Sequence, residues 1–310
     1  MDKKVAVIII VLIIILVSVL FYVMINLTLK GVRDINTGKV YSTIQEAINA
    51  KETLDGDTLL VYPGVYHENV FINKTLTIEG QNKETTIVES PNSNSSGYIV
   101  ILANKANTTI ANLTIQGDYF GIYCFQANGS RVLNNKVINC ITADIFINAA
   151  SNVLVKGNDV SGSNETLRGI YVYNCLNTIV KNNEINKIPG NKTENLFGAV
   201  DLEISRNSTI VGNELNNSLS GVYFDTNATD SKIYHNNFIN DTEPVINIGG
   251  ENTVWDNGSA SGGNYWSNYL TKYPDATEID HTGIGNTPYA IDQWDNDTYP
   301  LMRPYPISAG

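Results

Sequence analysis

Three acidic residues near the middle of the chain have the type and spacing for acid–base chemistry. Asp201 and Glu203 lie two residues apart, and Asp225 lies one repeat further on, so an alternating strand pattern turns them outward together. Hydrolysis of a glycosidic bond uses two carboxyl groups that flank the bond. Arg168 is the nearest cationic candidate. The pattern is compatible with a catalytic group of carboxylates. It is equally compatible with an acidic patch that is only solvated.

Aromatic residues occupy the equivalent positions in neighbouring repeats. They are Tyr123, Phe125, Phe146, Tyr171, Tyr173 and Tyr223. Aromatic rings pack against the faces of sugar rings, and neighbouring carboxylates accept hydrogen bonds from sugar hydroxyls. The pattern therefore predicts an exposed stripe that binds a surface polysaccharide or glycoprotein. The alternative is that these rings only stack between strands, or that a loop such as residues 186–196 covers them.

Metal-binding patterns are weak in this sequence. The three histidines share no ligand spacing. Oxygen ligands for calcium could come from an acidic stretch near the C-terminal end, where the candidates are Asp275, Glu278 and Asp280. Otherwise these are ordinary turn residues, and no other cofactor is predicted. Three cysteines in 310 residues do not form a disulfide framework.

The charge balance argues against a nucleic-acid partner. The chain has 20 Lys and Arg against 31 Asp and Glu, a formal charge of −11, and no basic cluster. Phosphate contacts are made mainly by Lys and Arg. Apolar residues make up 43% of the chain, which is enough for a large core.

Internal repetition organises most of the chain. Short apolar segments surround an asparagine that recurs every 23 to 30 residues, at Asn112, Asn135, Asn158, Asn183, Asn213 and Asn237. A second strand-like segment lies about fourteen residues before each asparagine. A propeller blade needs about 40 residues, so stacked coils fit this repeat better. The repeat predicts an all-β parallel β-helix, in which asparagine suits the turns.

Alternation along the second segment assigns its faces. One predicted inward row is Ile99, Ile122, Ile145, Ile170, Val200 and Val222. The next is Ile101, Cys124, Ile147, Val172, Leu202 and Phe224. Cys124 is thus predicted to be a small buried side chain, and Cys140 and Cys175 are interpreted as buried thiols.

An apolar run over residues 5–25 predicts a membrane helix. At about 1.5 Å per residue, it reaches roughly the 30 Å thickness of bilayer hydrocarbon. A signal peptide is the alternative, but no convincing cleavage site follows the run. We therefore favour an uncleaved anchor, with the rest of the chain on the extracellular face.

Glycosylation sequons are frequent, as a surface location would allow. They include those that begin at Asn73, Asn94, Asn107, Asn128, Asn164, Asn191, Asn207, Asn227, Asn240, Asn257 and Asn296. A chain rich in Asn, Ser and Thr also produces such sequons by chance.

Both ends of the repeat region resemble a known family. Residues 43–48 (TIQEAI), a predicted amphipathic helix, together with 56–61 (GDTLLV), 63–66 (PGVY) and 76–80 (LTIEG), resemble the N-terminal cap of pectin-lyase-like right-handed β-helices, and most of all the NosD branch. Residues 263–269 (GNYWSNY), 283–291 (GIGNTPYAI) and 299–305 (YPLMRPY) resemble the terminal cap of NosD-like surface proteins. The resemblance covers roughly residues 40–306.

The resemblance and the repeat together predict the domain organisation. The fold class is all-β, a right-handed parallel β-helix with an N-terminal capping helix, preceded by one transmembrane helix. Residues 1–30 form the anchor, 31–90 the N-terminal cap and first coil, 91–255 the repeats, and 256–310 the C-terminal cap.

Function is less well determined than fold, because this fold carries lyases, hydrolases, epimerases and non-enzymes. The motifs Asn-Thr-Asp, Gly-His-Gly and Asp-Pro-His of polysaccharide-active relatives are absent. The family name suggests copper, but Met and Cys are too few and scattered for a soft-metal site. We expect a structural or adhesive surface protein that binds glycans. The alternatives are a polysaccharide lyase, hydrolase or epimerase, and an accessory module of a membrane-bound complex.

Overall fold

The computed structural model describes residues 8–19, 30–91, 99–225 and 227–307. Over the described residues, the chain winds into a parallel β-solenoid of eight coils, and each coil contributes one strand to each of three sheets. The predicted all-β parallel β-helix is therefore confirmed.

Sheet 1 contains the first strand of each coil and two strands that precede them. Its strands are β1 (Val32–Asp34), β2 (Val40–Tyr41), β3 (Thr58–Val61), β6 (Thr77–Gly80), β9 (Thr109–Ala111), β12 (Arg131–Leu133), β15 (Leu154–Lys156), β18 (Ile179–Lys181), β21 (Thr209–Val211) and β24 (Lys232–Tyr234). Strand β1 pairs antiparallel with β2 and β3, and the later strands pair in parallel.

Sheet 2 contains the second strand of each of the eight coils and, after them, one strand of the C-terminal segment. The coil strands are β4 (Gly64–His67), β7 (Thr86–Glu89), β10 (Thr114–Gln116), β13 (Lys136–Ile138), β16 (Asp159–Ser161), β19 (Glu184–Asn186), β22 (Glu214–Asn216) and β25 (Asn237–Ile239), and the strand of the C-terminal segment is β27 (Tyr265–Trp266).

Sheet 3 contains the third and longest strand of each coil. Its strands are β5 (Val70–Ile72), β8 (Ile99–Ala103), β11 (Phe120–Phe125), β14 (Ala143–Asn148), β17 (Arg168–Tyr173), β20 (Val200–Glu203), β23 (Ser220–Phe224) and β26 (Glu243–Asn247). A separate hairpin joins β28 (Tyr289–Ala290) to β29 (Asn296–Asp297).

Three helices accompany the strands in the described residues: α1 (residues 8–19), α2 (Ile44–Asn49) and α3 (Tyr269–Lys272). Helix α2 lies where the amphipathic pattern predicts a helix. Thr43 is its N-cap and accepts a hydrogen bond from the backbone N–H of Glu46 at 3.0 Å. Ile44, Ala47 and Ile48 are buried and face the first strands.

The predicted membrane helix is only partly covered by the described residues. Of the span 5–25, residues 5–7 and 20–25 lie outside them, as does the sequon at Asn94. Within the described residues, no helix combines the length and apolar character needed to cross a bilayer. The side chains of α1 are exposed along its whole length.

The inward rows predicted from alternation are confirmed over five coils. Ile122 pairs with Ile145, and the row continues through Ile170 to Val200 and Val222, all fully buried. The parallel row from Cys124 to Phe224 is also buried, and all three cysteines are free and buried.

The predicted register of β8, the first strand of the two inward rows, is wrong by two residues. Ile101, rather than Ile99, pairs with Ile122, and Ala103 pairs with Cys124. The segment from Ile99 to Ala103 is apolar throughout, so it offers no alternation to specify register.

A ladder of buried asparagine side chains runs along the turn between sheets 1 and 2. Its members are Asn135, Asn158, Asn183, Asn213, Asn236 and Asn264. In each step, the backbone N–H of one asparagine donates to Oδ1 of the next at 2.9–3.1 Å. Each Nδ2 also donates to a carbonyl of the preceding coil, as Asn183 does to Val155 at 3.0 Å.

The ladder ends on a buried carboxylate in the C-terminal segment. Oδ2 of Asp297 accepts from the backbone N–H of Asn264 at 2.7 Å and from Nε1 of Trp266 at 2.9 Å. Burial raises the pKa of Asp297 to about 7, although these donors favour the ionised form. The C-terminal segment, over its described residues 256–307, is thereby joined to the ladder.

Two of the six asparagines that recur in the sequence lie in the turns but outside the ladder. Asn112 lies in the left-handed turn position, with φ of 56°, and the ladder position that follows it is Leu113. Asn237 lies one residue after the ladder and exchanges hydrogen bonds with the backbone of Tyr305. In most coils an Asn or Gly with positive φ comes first and the ladder asparagine second, as in Asn182 and Asn183.

We predict that Asn183→Ala lowers the free energy of unfolding by about 3 kcal/mol. The substitution removes the acceptor of the buried backbone N–H of Asn158 and the side-chain donor to the carbonyl of Val155, and each such unsatisfied group costs about 1–3 kcal/mol. Oδ1 of Asn213 keeps the backbone N–H of residue 183 as a donor. Urea denaturation followed by circular dichroism measures the change. Lys181→Ala, at an exposed position of the same coil, is the matched control and should shift the midpoint little. Equal midpoints for both variants would contradict the importance of the ladder.

Candidate functional site

The predicted aromatic and acidic residues meet on the outer face of sheet 3, in two parallel rows. The inner row pairs Tyr123, Phe146, Tyr171, Asp201 and Tyr223 on successive strands. The outer row pairs Phe125, Asn148, Tyr173 and Glu203. This register agrees with the one expected from the repeat.

The aromatic part of the inner row is a continuous stack. The rings of Tyr123 and Phe146 lie 4.6 Å apart at 8°, and those of Phe146 and Tyr171 lie 4.5 Å apart at 6°. Phe120 adds a fourth ring 5.4 Å from Phe146. The strand spacing of a parallel sheet sets this distance, because like residues lie over like.

The prediction that the whole stripe is exposed is wrong. Phe146, Tyr171 and Tyr223 are at most 9% exposed, because neighbouring rings cover them. Phe120 packs on one side, and Phe197, from the loop before β20, packs edge-on against Tyr223 at 5.5 Å. Among the six predicted residues, Tyr123 and Tyr173 are half-buried and Phe125 is exposed.

Arg168 holds the acidic end of the two rows together. Its Nε lies 3.0 Å from Oδ2 of Asp201, and one of its terminal nitrogens donates to Glu203 at 3.2 Å. The guanidinium is sandwiched between two rings, 3.4 Å from the centroid of Phe197 and 4.3 Å from that of Tyr171. These contacts combine ion pairing with cation–π attraction in a largely buried place.

The acids in this network are already engaged. Asp201 is fully buried and accepts from the backbone N–H of Gly198 at 2.9 Å. Burial raises its pKa, and the Arg168 guanidinium opposes that rise. Glu203 accepts a hydrogen bond from the hydroxyl of Tyr171 at 2.8 Å.

The tyrosines beside these acids are held in their protonated form. Burial and the nearby Glu203 raise the pKa of Tyr171 well above its usual value, and they raise that of Tyr223 to about 12. The Tyr171 hydroxyl therefore acts as a hydrogen-bond donor in the network.

Asp225 accepts hydrogen bonds from the backbone of a turn and is not part of the group that Arg168 forms with Asp201 and Glu203. Its Oδ1 accepts from the backbone N–H groups of Ile204 and Asn227 at 3.0 and 3.1 Å. The structure thus groups Asp201 with Glu203 around Arg168 and uses Asp225 differently.

The outer row forms the accessible part of this face. Phe125 is 37% exposed, and Tyr173 and Glu203 are half-buried. Asn148 lies between the two aromatic positions, and its Nδ2 donates to the Tyr123 hydroxyl at 2.8 Å. Sequence reasoning did not select Asn148, Phe120 or Phe197, although Asn148 has the same repeat position as Phe125 and Tyr173.

The candidate calcium residues do not form a site. Asp275, Glu278 and Asp280 are all exposed, and Glu278 accepts a hydrogen bond from the backbone N–H of Gly283 at 2.6 Å. In the part of the chain that the structure describes, no three His, Cys, Asp or Glu side chains lie together as metal ligands would.

The described residues also do not fit copper, which the family resemblance suggests. Copper(I) is bound by thiolates and thioethers, but burial raises the pKa of all three thiols, that of Cys124 to about 12. His67 pairs with Glu89, whereas Nε2 of His235 lies 2.8 Å from the Ser261 carbonyl and its ring stacks on Tyr305.

We predict that Arg168→Met lowers the free energy of unfolding by about 3–5 kcal/mol, because it leaves the carboxyl of Asp201 buried and without its ion-pair partner. Thermal unfolding and urea denaturation measure the loss. Arg131→Met, at an exposed position of β12, is the matched control. Adding Asp201→Asn to Arg168→Met should recover part of the lost stability. A double variant that is as unstable as Arg168→Met alone would argue against the pairing of Arg168 with Asp201.

Comparisons with known proteins agree with this architecture. The family model of NosD, described as a periplasmic copper-binding protein, matches residues 50–271. A cell surface glycoprotein of Methanothermus fervidus is 27% identical over 84% of this chain, and the chain spans about half of that protein, 56% of its length.

Two solved structures are similar in fold. The A-module of the Azotobacter vinelandii mannuronan C-5 epimerase AlgE6 has a TM-score of 0.50 and 16% identity, over 64% of this chain and 57% of that one. The pectate lyase Pel9A has a TM-score of 0.45 and 12% identity, over 87% and 84%. The family match covers well over half of the chain, and the coils of this chain form the parallel β-helix that the resemblance predicts. The chain therefore belongs to the NosD family of parallel β-helix proteins.

Proposed function

We propose that this chain is an extracellular cell-surface β-helix that binds polysaccharide along the outer row of sheet 3. The observation that carries the proposal is the alignment of Phe125, Asn148, Tyr173 and Glu203 on four consecutive strands. Aromatic faces alternate there with an amide and a carboxylate, which are the groups that recognise sugars.

The spacing of this row suits an extended polymer. Phe125 and Tyr173 are two strands apart, so their side chains lie roughly 10 Å from each other. Two sugar units of one extended chain that are separated by a third unit can reach both rings. The side-chain carbonyl oxygen of Asn148 lies between the two aromatic positions, while its Nδ2 donates to the Tyr123 hydroxyl. The neighbouring inner row contacts the other three residues, because Tyr123 packs beside Phe125 and Tyr171 packs beside Tyr173 and donates to Glu203.

Binding fits this face better than catalysis does. The fully buried Asp201 is held by Arg168 and Gly198, and Glu203 is held by Arg168 and Tyr171. A glycosidase needs one carboxyl group that gives a proton and a second one near the reacting carbon. Neither acid is free to take those roles, so we do not assign lyase, hydrolase or epimerase activity.

We also propose that both end segments close the solenoid. Helix α2 buries its apolar face on the first strands. At the other end, the ring of Trp266 stacks on Phe238 and on Tyr289, each at 4.2 Å. Edges closed in this way do not offer free strands for pairing with another chain.

The surface location is part of the same proposal. A relative is called a cell surface glycoprotein, and the family is described as periplasmic. We propose that the apolar residues 5–25 anchor the chain, because the described part of this run is an entirely exposed apolar helix.

The anchor is tested by expressing the chain with and without residues 1–30 and extracting membranes with alkaline carbonate. We expect the 310-residue chain to stay in the membrane pellet and the shortened chain to leave it. Release of the 310-residue chain by carbonate would contradict the anchor without affecting the polysaccharide proposal.

The polysaccharide proposal is tested by native electrophoresis of the 310-residue chain in gels containing acidic or neutral polysaccharides. We expect Phe125→Ala and Tyr173→Ala each to lower the affinity measured from the retardation roughly tenfold, which corresponds to a loss of about 1.4 kcal/mol of stacking energy. Ile179→Ala is the matched control, because it removes an exposed apolar side chain from sheet 1, in the coil that follows that of Tyr173. Equal retardation of all variants would exclude this face, and shortening of the polymer would indicate an enzyme.

A further inference from the structure

Trp294 is the most exposed large apolar side chain that the structure describes. Its exposure is 82%, whereas Trp255 and Trp266 are 2% and 1% exposed. Tryptophan is on average one of the more buried residue types, and an exposed one beside a groove commonly marks a contact surface. The outer row of sheet 3 does not include it.

The turn that carries Trp294 is held by one carboxylate. Oδ1 of Asp292 accepts from the backbone N–H groups of Trp294 and Asp295 at 2.7 and 2.8 Å. Oδ2 of Asp292 accepts from Nδ2 of Asn247, at the end of β26, at 3.2 Å. The indole is thus attached to the last coil through a fixed backbone, which lowers the entropy lost when a ligand packs on it.

A groove of about 590 Å³ lies between this turn and residues 247–252. Its volume is within the range of ligand sites, about 300–1,000 Å³. Glu251 and Asp295 are among the residues that line it, and neither carboxylate receives a hydrogen bond from any described residue. Two residues with free acceptors therefore border the same groove as Trp294.

The charge of the groove narrows the class of ligand. Glu251, Asp292 and Asp295 line it, and no Lys or Arg does, so an anionic sugar is repelled. Quaternary ammonium groups are bound by cages of several aromatic rings, whereas this groove has one. A neutral sugar ring suits both the negative charge of the groove and its single aromatic ring. Its hydroxyls donate hydrogen bonds to carboxylates, and its C–H face packs on an indole.

We propose that a neutral sugar ring packs on Trp294 and is held by Glu251 and Asp295. This site is separate from the outer row of sheet 3 and does not depend on it.

The sugar can come from the chain itself or from another polymer. Asn296 begins a sequon two residues after Trp294. Trp294, Asn296 and Thr298 are exposed, whereas Asp295 and Asp297 between them are half-buried and buried. A glycan on Asn296 would thus start on the same side of the chain as the indole. An external neutral polysaccharide is the other source of the same chemistry.

Acrylamide quenching of tryptophan fluorescence reads this site directly, because the other two indoles are buried. In the first arm, the 310-residue chain from a host without N-glycosylation is titrated with methyl glycosides of glucose, mannose and galactose. In the second arm, the chain from a glycosylating host is compared with Asn296→Gln, and mass spectrometry determines whether Asn296 is occupied.

We expect saturable protection of the indole in one of the arms. Protection in the first arm identifies an external sugar, and greater quenching of Asn296→Gln than of the glycosylated chain identifies the chain's own glycan. The proposal is overturned if neither arm shows protection. Equal protection by methyl galacturonoside or by tetramethylammonium would overturn it as well, because each contradicts the charge argument.

Variants separate this site from the outer row of sheet 3. If the first arm is positive, Glu251→Gln should weaken protection roughly tenfold, and Leu54→Ala, an exposed apolar position in the N-terminal segment, should leave it unchanged. If the second arm is positive, Glu251→Gln in the glycosylated chain should raise quenching toward the level of Asn296→Gln. Isothermal titration calorimetry, which does not need the indole, should show that Trp294→Tyr retains the neutral-sugar binding that Trp294→Ala loses. Protection that survives Phe125→Ala but not Glu251→Gln supports this site even where the proposed function fails.

Discussion

The buried asparagine ladder is the interaction on which the arrangement of the coils depends. Each coil turns sharply between sheets 1 and 2, and that turn leaves backbone N–H and carbonyl groups inside the solenoid. The ladder asparagines satisfy these groups with Oδ1 and Nδ2. Because an unsatisfied buried polar group costs about 1–3 kcal/mol, a coil shifted by one residue would lose several kcal/mol at this corner alone. From β9 onward, the ladder therefore fixes the register of all three sheets together.

Fixed register places equivalent residues above one another on every face. Inside, this produces rows of branched apolar side chains that fill the core at strand spacing. Outside, it brings Tyr123, Phe146 and Tyr171 into a stack and sets the acids of the next coil at its end. Arg168 joins the two parts, because its guanidinium pairs with Asp201 and lies on the ring of Tyr171.

The same face therefore has a structural layer and an accessible layer. The side chains of the inner row are already engaged in contacts with one another and with Arg168. The acidic residue Asp201, which the sequence offered as a catalytic candidate, therefore stabilises the fold. The outer row and the C-terminal groove beside Trp294 present groups with unused binding capacity. Family membership does not predict such sites, because a shared solenoid holds different side chains at its surface. In this chain the three thiols, which are the strongest candidate copper ligands, are buried in the core with raised pKa values.

Much of this protein follows from its sequence by itself. The repeat length, the alternation and the position of α2 determined the parallel β-helix, and the register from β11 to β23 followed from them. Where these signals were ambiguous, only the tertiary structure decided. The apolar run at β8 had no polar residue to mark its faces. Adjacent asparagines such as Asn182 and Asn183 are the same residue type in the sequence, and only the structure shows that Asn182 has the positive φ and that Asn183 is buried in the ladder. Burial of the aromatic row and the pairing of Arg168 were likewise decided by the fold. They depend on Phe197, a loop residue outside the repeat, and periodicity cannot determine where such a side chain packs.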